Sequence, residues 1–226
     1  MVNYEIHWFH WIPVGDSFAW DTSVPVSDHV KDSKQGVMNF VLDVLAIDKR
    51  RKMDVQLDDE QHGAVDKMRI GRNAFLTGKA GVGKSTTVRE FVRGCDHSCV
   101  VLAPTGVAAL NAGGSTIHSF FRLPLSTLTQ DCISAITDKK KIELIRAVKT
   151  IVIDEISMVR SDVFNAMDFR LRELAKGANR EMPFGGKQII VVGDFFQLPP
   201  VVTSEKDRRI LNKLYGGTYA FETDLW

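Results

Sequence analysis

The sequence has 226 residues, of which 44% are apolar and 25% are charged, a composition typical of a globular protein rather than a disordered chain. Its 29 Lys and Arg against 28 Asp and Glu give a net charge of +1, which neither requires nor excludes a nucleic acid partner. It contains no apolar run long enough to cross a bilayer, no secretory signal and only three cysteines, so we expect an intracellular protein with no membrane partner.

The chain is predicted to divide near residue 57. Residues 1–56 are interpreted as a small N-terminal appendage, rich in tryptophan and without clear periodicity before an apolar segment at 37–47. The basic run at 49–52 is interpreted as a solvated helix end or linker, with nuclear targeting or phosphate contact as the alternatives. The rest of the chain, 57–226, is predicted to form one domain.

Short apolar strands alternate with helices in this second part. Strands are predicted at 73–77, 98–103, 150–154 and 188–193, and helices at 85–93, 139–148 and 161–176. Three of the strands are nearly continuous apolar runs, which is typical of strands buried on both faces of a parallel sheet. Ser161 is expected to cap the last helix and Gly177 to end it. The alternation predicts an α/β fold with a mostly parallel, doubly wound sheet.

Residues 78–85 match the phosphate-loop pattern GxxxxGK[ST] without a gap, between a predicted strand and a predicted helix. Glycines allow backbone N–H groups to curl around a phosphate, and the helix N-terminus adds its positive end. Lys84 is expected to reach the β- and γ-phosphates, and the Ser85 hydroxyl to ligate Mg²⁺. An incidental glycine-rich turn is the alternative, but it does not explain why residues 78–85 match the pattern without a gap between a strand and a helix. The predicted nucleotide contacts here are Gly78, Lys79, Ala80, Gly81, Val82, Gly83, Lys84, Ser85 and Thr86.

Two further predicted strands end in polar side chains. Asp154 and Glu155 follow one of them, where ligands of open α/β sheets bind. Asp154 is expected to hold the Mg²⁺ shell, and Glu155 to polarise the attacking water as general base. Gln197 follows the other strand in a turn stiffened by Pro199 and Pro200, where it can sense the γ-phosphate. The alternative for Asp154 and Glu155 is a helix cap, and the alternative for Gln197 is an incidental turn residue. Because both segments occur together with the phosphate loop, the functional interpretation is favoured, and the chain is predicted to be an NTPase.

Four segments together resemble the Pif1 family of superfamily 1 DNA helicases. They are GKAGVGKS (78–85), APTGVAALN (103–111) with TIHSFF (116–121), DEISMV (154–159) and GDFFQLPP (193–200). The resemblance covers residues 57–226 and implies a RecA-like first motor domain, ATP and Mg²⁺ as cofactors, and 5′-to-3′ movement on single-stranded DNA. It also implies roles in DNA repair, recombination and telomere maintenance. The residues that fall on the family's catalytic positions are Lys84, Ser85, Asp154, Glu155 and Gln197.

The resemblance implies two further sets of contacts. Gln61 matches an adenine-contacting glutamine, although a polar residue in the first turn of a helix fits its spacing equally well. The stretch 104–121 matches the DNA-contacting region, and its neutral donors and aromatic rings suit phosphates and bases, although it is poor in Lys and Arg. We expect at least one of Phe120 and Phe121 to be a core residue instead. The predicted DNA-binding residues are Pro104, Thr105, Gly106, Asn111, Thr116, His118 and Phe120.

The resemblance implies that a second RecA-like domain, with its arginine finger, is missing from this chain. We therefore expect the 226 residues alone to bind nucleotide, to hydrolyse it slowly and not to unwind DNA. Two alternatives stay open: an ATP-responsive DNA-binding or regulatory module with little turnover, and a P-loop ATPase or kinase that does not act on DNA. The expected compartment is the nucleus or mitochondrion in a eukaryote and the cytoplasm in a bacterium.

The segment 95–99 has the composition of a partial zinc site. Cys95, His97 and Cys99 offer at most three ligands, crowded between a helix end and a strand, without a second ligand pair. A plain linker is the favoured interpretation.

Overall fold

The computed structural model describes residues 56–79, 81–129 and 132–226. Residues 1–55 of the predicted appendage, with their apolar segment and basic run, lie outside the described residues, as does Ala80 of the phosphate loop. In the described part of the chain, no helix is long and apolar enough to cross a membrane.

Five strands, all parallel, form one sheet in the order β1-β5-β4-β2-β3. The strands are β1 (Ala74–Thr77), β2 (Cys99–Ala103), β3 (Ser115–Thr116), β4 (Thr150–Ile153) and β5 (Gln188–Gly193). The helices are α1 (Asp59–Arg69), α2 (Lys84–Arg93), α3 (Gly106–Ala112), α4 (Ile117–Phe121), α5 (Lys139–Ala147), α6 (Ser161–Leu174) and α7 (Glu205–Tyr215). All four predicted strands and all three predicted helices are confirmed, whereas β3, α1, α3, α4 and α7 were not among the predicted elements.

The two faces of the sheet pack against different helices. Because side chains alternate along a strand, Val100 and Ile151 face one core cluster, which contains side chains of α4, α5 and α6. Val101 and Val152 face the other cluster, which α1 and α2 cover. Burial on both faces explains why β2 and β4 are apolar at nearly every position and confirms the doubly wound arrangement.

The ends of α6 differ from the prediction. Arg160 is the N-cap, and Ser161 is the first helical residue. The Ser161 hydroxyl donates to the carbonyl of Gly217 at 2.7 Å, so tertiary contact decides its role. The helix ends at Leu174 rather than at Gly177. Ala175 already has an extended backbone, and Gly177 begins a short 3₁₀ turn.

The segment 104–121 is a helix–strand–helix unit built against β2. Gly113 ends α3 in the left-handed conformation, with φ of 71°. The next residue passes so close to β2 that a Cβ on Gly114 would lie 2.0 Å from the carbonyl oxygen of Val101. The two-residue strand β3 then pairs with the end of β2, Leu102 opposite Ser115. Glycine at 114 is therefore required by the close approach of two backbones.

Candidate functional site

The polar segments identified in the sequence meet at one edge of the sheet. The register pairs Thr77 of β1 with Gly193 of β5, and Ile153 of β4 with Val191 of β5. On the other side of β4, Leu102 of β2 is paired with Ile153. Since these strands are parallel, the loops that leave their carboxyl ends lie side by side, as expected of a ligand site in an open α/β sheet.

The phosphate loop leaves β1 and enters α2. Three glycines in it have positive φ angles, 156° at Gly78, 80° at Gly81 and 87° at Gly83. The last of these is the N-cap of α2 and supplies no side-chain hydrogen bond, so the first N–H groups of a ten-residue helix are left to an external acceptor. Lys84 Nζ donates to the carbonyls of Gly78 at 2.6 Å and Lys79 at 3.0 Å, which places its ammonium over the loop.

Gln61 lies beside the same loop. It occupies the third position of α1 and forms a capping box with Asp58, so the interpretation as a first-turn helix residue is confirmed. Its side-chain amide also donates from Nε2 to the carbonyl of Val82 at 3.2 Å. A Cβ on Gly83 would lie 2.3 Å from this Nε2. Gln61 therefore contacts the phosphate loop, and its contact with adenine stays a prediction.

Asp154 and Glu155 follow β4. Asp154 is partly buried, and burial raises the pKa of its carboxyl group, while the backbone N–H of Glu155 at 2.9 Å and the charge of Lys84 act in the opposite direction. Glu155 has φ of 53° and ψ of 46°, a left-handed conformation that costs a non-glycine residue about 1 kcal/mol or more. Strain of this kind is concentrated at functional sites, where the surrounding structure holds a side chain in place.

The turn after β5 is organised by Asp194, a residue that had not been predicted to belong to the site. Its carboxylate accepts the N–H of Phe196 at 3.0 Å and the side-chain amide of Gln197 at 3.2 Å. These two bonds and the charge of Lys84 lower the pKa of Asp194. Because an aspartate that accepts the N–H two residues on is a common turn motif, its position after an apolar strand was a usable signal. Gln197 is exposed on the turn, with its amide held by Asp194.

Five of the seven predicted DNA-binding residues lie on or beside the exposed surface of α3 and β3. The hydroxyl oxygens of Thr105 and Thr116 cap α3 and α4 by accepting the N–H groups of Ala108 and Ser119, each at 3.2 Å. Their hydroxyl hydrogens are still able to donate to a phosphate. Gly106 and Asn111 are exposed, and Pro104 is partly buried.

The remaining two predicted DNA-binding residues are more enclosed. Phe120 is wrong as a stacking residue, since it is 1% exposed and packs edge-on against Phe121, 4.9 Å between ring centres. Both rings belong to the core, because α4 turns its apolar face towards the sheet. His118 is partly buried, and this burial, together with the charge of Arg160, lowers its pKa.

The segment 95–99 does not form a metal site in the part of the chain that the structure describes, where no cluster of three or more His, Cys, Asp or Glu side chains is arranged to hold a metal ion. The two ring nitrogens of His97 contact Asp96 at 2.9 Å and the Thr150 hydroxyl at 2.8 Å. Cys99 is buried at the start of β2, whereas Cys95 is partly buried at the end of α2.

Comparison with known proteins agrees with this geometry. The family model described as PIF1-like helicase matches residues 56–222. The chain belongs to the PIF1-like helicase family. The ATP-dependent DNA helicase Pif1 of Bdellovibrio bacteriovorus is 40% identical over 169 residues, which are 72% of this chain and 37% of that protein. PIF1 of Saccharomyces cerevisiae is 36% identical over 182 residues, 77% of this chain and 20% of the yeast protein.

Solved PIF1-like structures share the fold. Bacteroides Pif1 bound to single-stranded DNA superposes with a TM-score of 0.69 at 38% identity, covering 76% of this chain and 39% of that one. The same helicase in complex with ADP-AlF3 and single-stranded DNA gives a TM-score of 0.70, with 76% and 40% covered. The described residues therefore form a RecA-like α/β domain. The 226 residues span about two fifths or less of the length of these family members.

Proposed function

We propose that residues 57–226 form a RecA-like motor domain that hydrolyses ATP and couples hydrolysis to 5′-to-3′ movement on single-stranded DNA. The observation that carries this proposal is the position of Lys84. Its charge acts on Asp154 at the end of β4 and on Asp194 at the end of β5, while its ammonium contacts the loop after β1. One cation thus contacts the loop after β1, and its charge reaches the carboxyl groups at the ends of β4 and β5, as a triphosphate site requires.

The residues of these strand ends divide the work of hydrolysis. Lys84 exchanges its bonds to loop carbonyls for the β- and γ-phosphates, and the N–H groups of the loop and of α2 surround the phosphate oxygens. Glu155 polarises the attacking water. Gln197 responds to the presence of the γ-phosphate, and its bond to Asp194 places its amide on the site's edge. Gln61, whose amide donates to the carbonyl of Val82 in the loop, contacts adenine.

A Mg²⁺ ion fits the donors present at this site. The Ser85 hydroxyl lies in the first turn of α2, and the Asp154 carboxylate lies at the end of β4, where the charge of Lys84 acts on it. Both supply oxygen atoms, the ligands that Mg²⁺ prefers. When bound, Mg²⁺ neutralises charge that develops on the phosphate oxygens.

DNA contact is proposed for the exposed surface that follows β2. Thr105, Gly106, Asn111 and Thr116 present neutral hydrogen-bond donors of the kind that bind phosphate, with Pro104 beside them. His118 supplies a partly exposed ring next to this surface. Support from outside the chain comes from the similarity to a Pif1 structure that is bound to single-stranded DNA.

The test is the rate of ATP hydrolysis by the 226-residue chain, with and without a single-stranded oligonucleotide. We expect turnover that DNA stimulates and that Lys84→Ala abolishes, because Lys84 is the cation proposed to bind the β- and γ-phosphates. The exposed Lys67 of α1 provides the matched control, and Lys67→Ala should retain wild-type rates. A rate that is indifferent to DNA contradicts the DNA assignment. Robust unwinding by these 226 residues contradicts the assignment to a single motor domain.

A further inference from the structure

The helix α7 carries a row of three cations on its outer face. It begins after Ser204, whose hydroxyl accepts the N–H groups of Lys206 and Asp207, and it ends at Gly216 in the left-handed conformation. Leu211 is its one fully buried residue among those that the structure describes, so that side chain marks the inner face. Lys206, Arg209 and Lys213 are all exposed. With 3.6 residues per turn they lie on the opposite side of the helix from Leu211. We call these three residues the basic stripe.

The basic stripe is not neutralised within the described part of the protein. None of its three cations has a carboxylate at ion-pair distance there, whereas the neighbouring Arg208 pairs with Glu205 at 3.5 Å. The acid Asp207 lies on the inner side, where it acts on Arg160. Cations three and four residues apart on one helix face repel each other, and Lys206 stands in the first turn, where the helix dipole disfavours positive charge. Among the described residues, the stripe therefore has no ion pair of its own.

The helix α7 lies near the proposed DNA surface. Asp207 near its start acts on Arg160, and the charge of Arg160 in turn acts on His118. The hydroxyl of Tyr215 at its other end donates to the carbonyl of Leu128 at 3.5 Å, in the segment that follows α4. The amino end of α7 is therefore close to Arg160, and Arg160 to His118, which borders the proposed DNA surface.

The length of the basic stripe matches a run of phosphates. From position 206 to position 213 an α-helix rises about 10 Å. A DNA strand carries one phosphate about every 3.4 Å along a B-form duplex, so the stripe faces about three phosphates. Phosphates are the groups that supply most of the sequence-independent affinity of DNA-binding proteins. The stripe's charge and spacing fit this partner.

We propose that Lys206, Arg209 and Lys213 bind the phosphodiester backbone of the DNA on which the protein acts. The inference rests on the proposed function and adds to it the positive charge that residues 104–121 lack. Binding of a phosphate strand by the stripe releases about one counterion for each contact, which makes affinity depend on salt.

The test compares two triple variants of the 226-residue chain. In one, Lys206, Arg209 and Lys213 are each replaced by Gln. In the matched control, Lys67, Arg72 and Lys149 are replaced by Gln; these exposed residues lie near the amino ends of β1 and β4, away from the site, and the change in net charge is the same. Affinity for a single-stranded oligonucleotide and for a blunt duplex is measured over a range of salt concentrations, after circular dichroism has shown that both variants fold.

The expected result is a smaller salt dependence in the stripe variant alone. The slope of log affinity against log salt should decrease in magnitude by about 2 on the single strand, or by about 2.7 on the duplex, according to which form binds the stripe. Nucleotide affinity should stay at the wild-type value. A wild-type slope in the stripe variant on both DNAs, or an equal decrease in the control, overturns this inference alone. A wild-type chain that binds neither DNA overturns the proposed function as well.

Discussion

Single residues in the phosphate loop are constrained by backbone geometry and by close approach of neighbouring groups. Gly83 shows both constraints, since its φ is 87° and a Cβ there would lie 2.3 Å from the Gln61 amide. Gly63, in the interior of α1, shows neither, because nothing lies within 4 Å of a Cβ at that position. Replacement by alanine is therefore expected to change the free energy of unfolding in opposite directions at the two glycines.

Gly83→Ala is expected to lower the free energy of unfolding by about 1 to 3 kcal/mol and to weaken nucleotide binding, because alanine strains the left-handed backbone and displaces Gln61. Gly63→Ala should raise the free energy of unfolding by about 0.5 to 1 kcal/mol, since alanine is the better helix former. Urea unfolding and nucleotide titration measure both effects. Equal stabilisation by the two substitutions would contradict the geometry assigned to the phosphate loop.

Lys141 is a buried cation in the core beside α4. Its Nζ lies 4.6 Å from the ring centre of Phe120, and the residue is 5% exposed. Burial lowers the pKa of Lys141 to about 7. The folded protein therefore releases this proton near pH 7, whereas the unfolded chain keeps it to about pH 10.5. Above pH 7 the unfolded state binds more protons, and stability rises with pH.

The free energy of unfolding should accordingly increase between pH 7 and 8, with Lys141 contributing at most about 1.4 kcal/mol per pH unit. Lys187, whose pKa burial lowers to about 8, adds a similar effect at higher pH. Lys141→Met should flatten the profile between pH 7 and 8 while remaining at least as stable as the wild type at pH 6. Parallel urea titrations of the two proteins decide this, and identical slopes would show that the lysine does not titrate there.

At the scale of elements, α6 holds the long segment between α4 and α5 in place through buried charges. The side chain of Asp162 is fully buried, and it accepts the N–H of Leu128 at 2.7 Å and a bond from Arg160 at 2.6 Å. Further along α6, the buried Arg170 donates to the carbonyl of Ser134 at 2.7 Å. These bonds hold Leu128 and Ser134 of this segment against α6.

Asp162→Ala should lower the free energy of unfolding by about 3 to 5 kcal/mol, because it leaves the Arg160 charge and the Leu128 N–H without their partner. The control is Asp66→Ala in α1, which removes an exposed ion pair with Arg69 and should cost less than about 1 kcal/mol. Chemical unfolding of the two variants measures the difference. If Asp162→Ala lowers the free energy of unfolding no more than Asp66→Ala does, water replaces Asp162 as the partner of Arg160 and of the Leu128 N–H.

At the scale of the whole molecule, the sheet is the rigid part from which the site is built. Loops from β1, β5, β4 and β2 leave neighbouring strands at one edge. An aromatic group that includes Phe75, Phe195 and Trp226 joins the outer strand β1, the turn after β5 and the last described residue. A nucleotide that binds the folded domain at this edge, as proposed, would stabilise the whole domain against unfolding.

A non-hydrolysable ATP analogue with Mg²⁺, at 100 times its dissociation constant, should stabilise the domain by about 2.7 kcal/mol. For a domain of this size that corresponds to an increase in melting temperature of roughly 5 to 11 °C. Differential scanning calorimetry measures the shift. Lys84→Ala should melt at the wild-type temperature without nucleotide and lose the shift, and a shift that persists in this variant would place the nucleotide elsewhere.

Much of the site could be predicted from the sequence because its chemistry is local. The phosphate loop is a continuous run in which glycine positions determine the backbone, and its glycines do adopt the positive φ angles that the pattern requires. The strands β2, β4 and β5 are apolar at nearly every position because helices cover both faces of the sheet. These features determined the fold class and the residues that gather at one edge.

Tertiary structure decided the features that depend on distant partners. The two-residue strand β3 exists because it pairs with β2, and Phe120 packs in the core because α4 faces the sheet. The hydroxyl of Ser161 binds Gly217, 56 residues away, which explains why it does not cap its own helix. The burial of Leu211 marks the inner face of α7 and so places the cations of the basic stripe together on the outer face. Local propensity sets the conformation of a phosphate loop, whereas burial and charge compensation are settled by contacts that the folded chain alone creates.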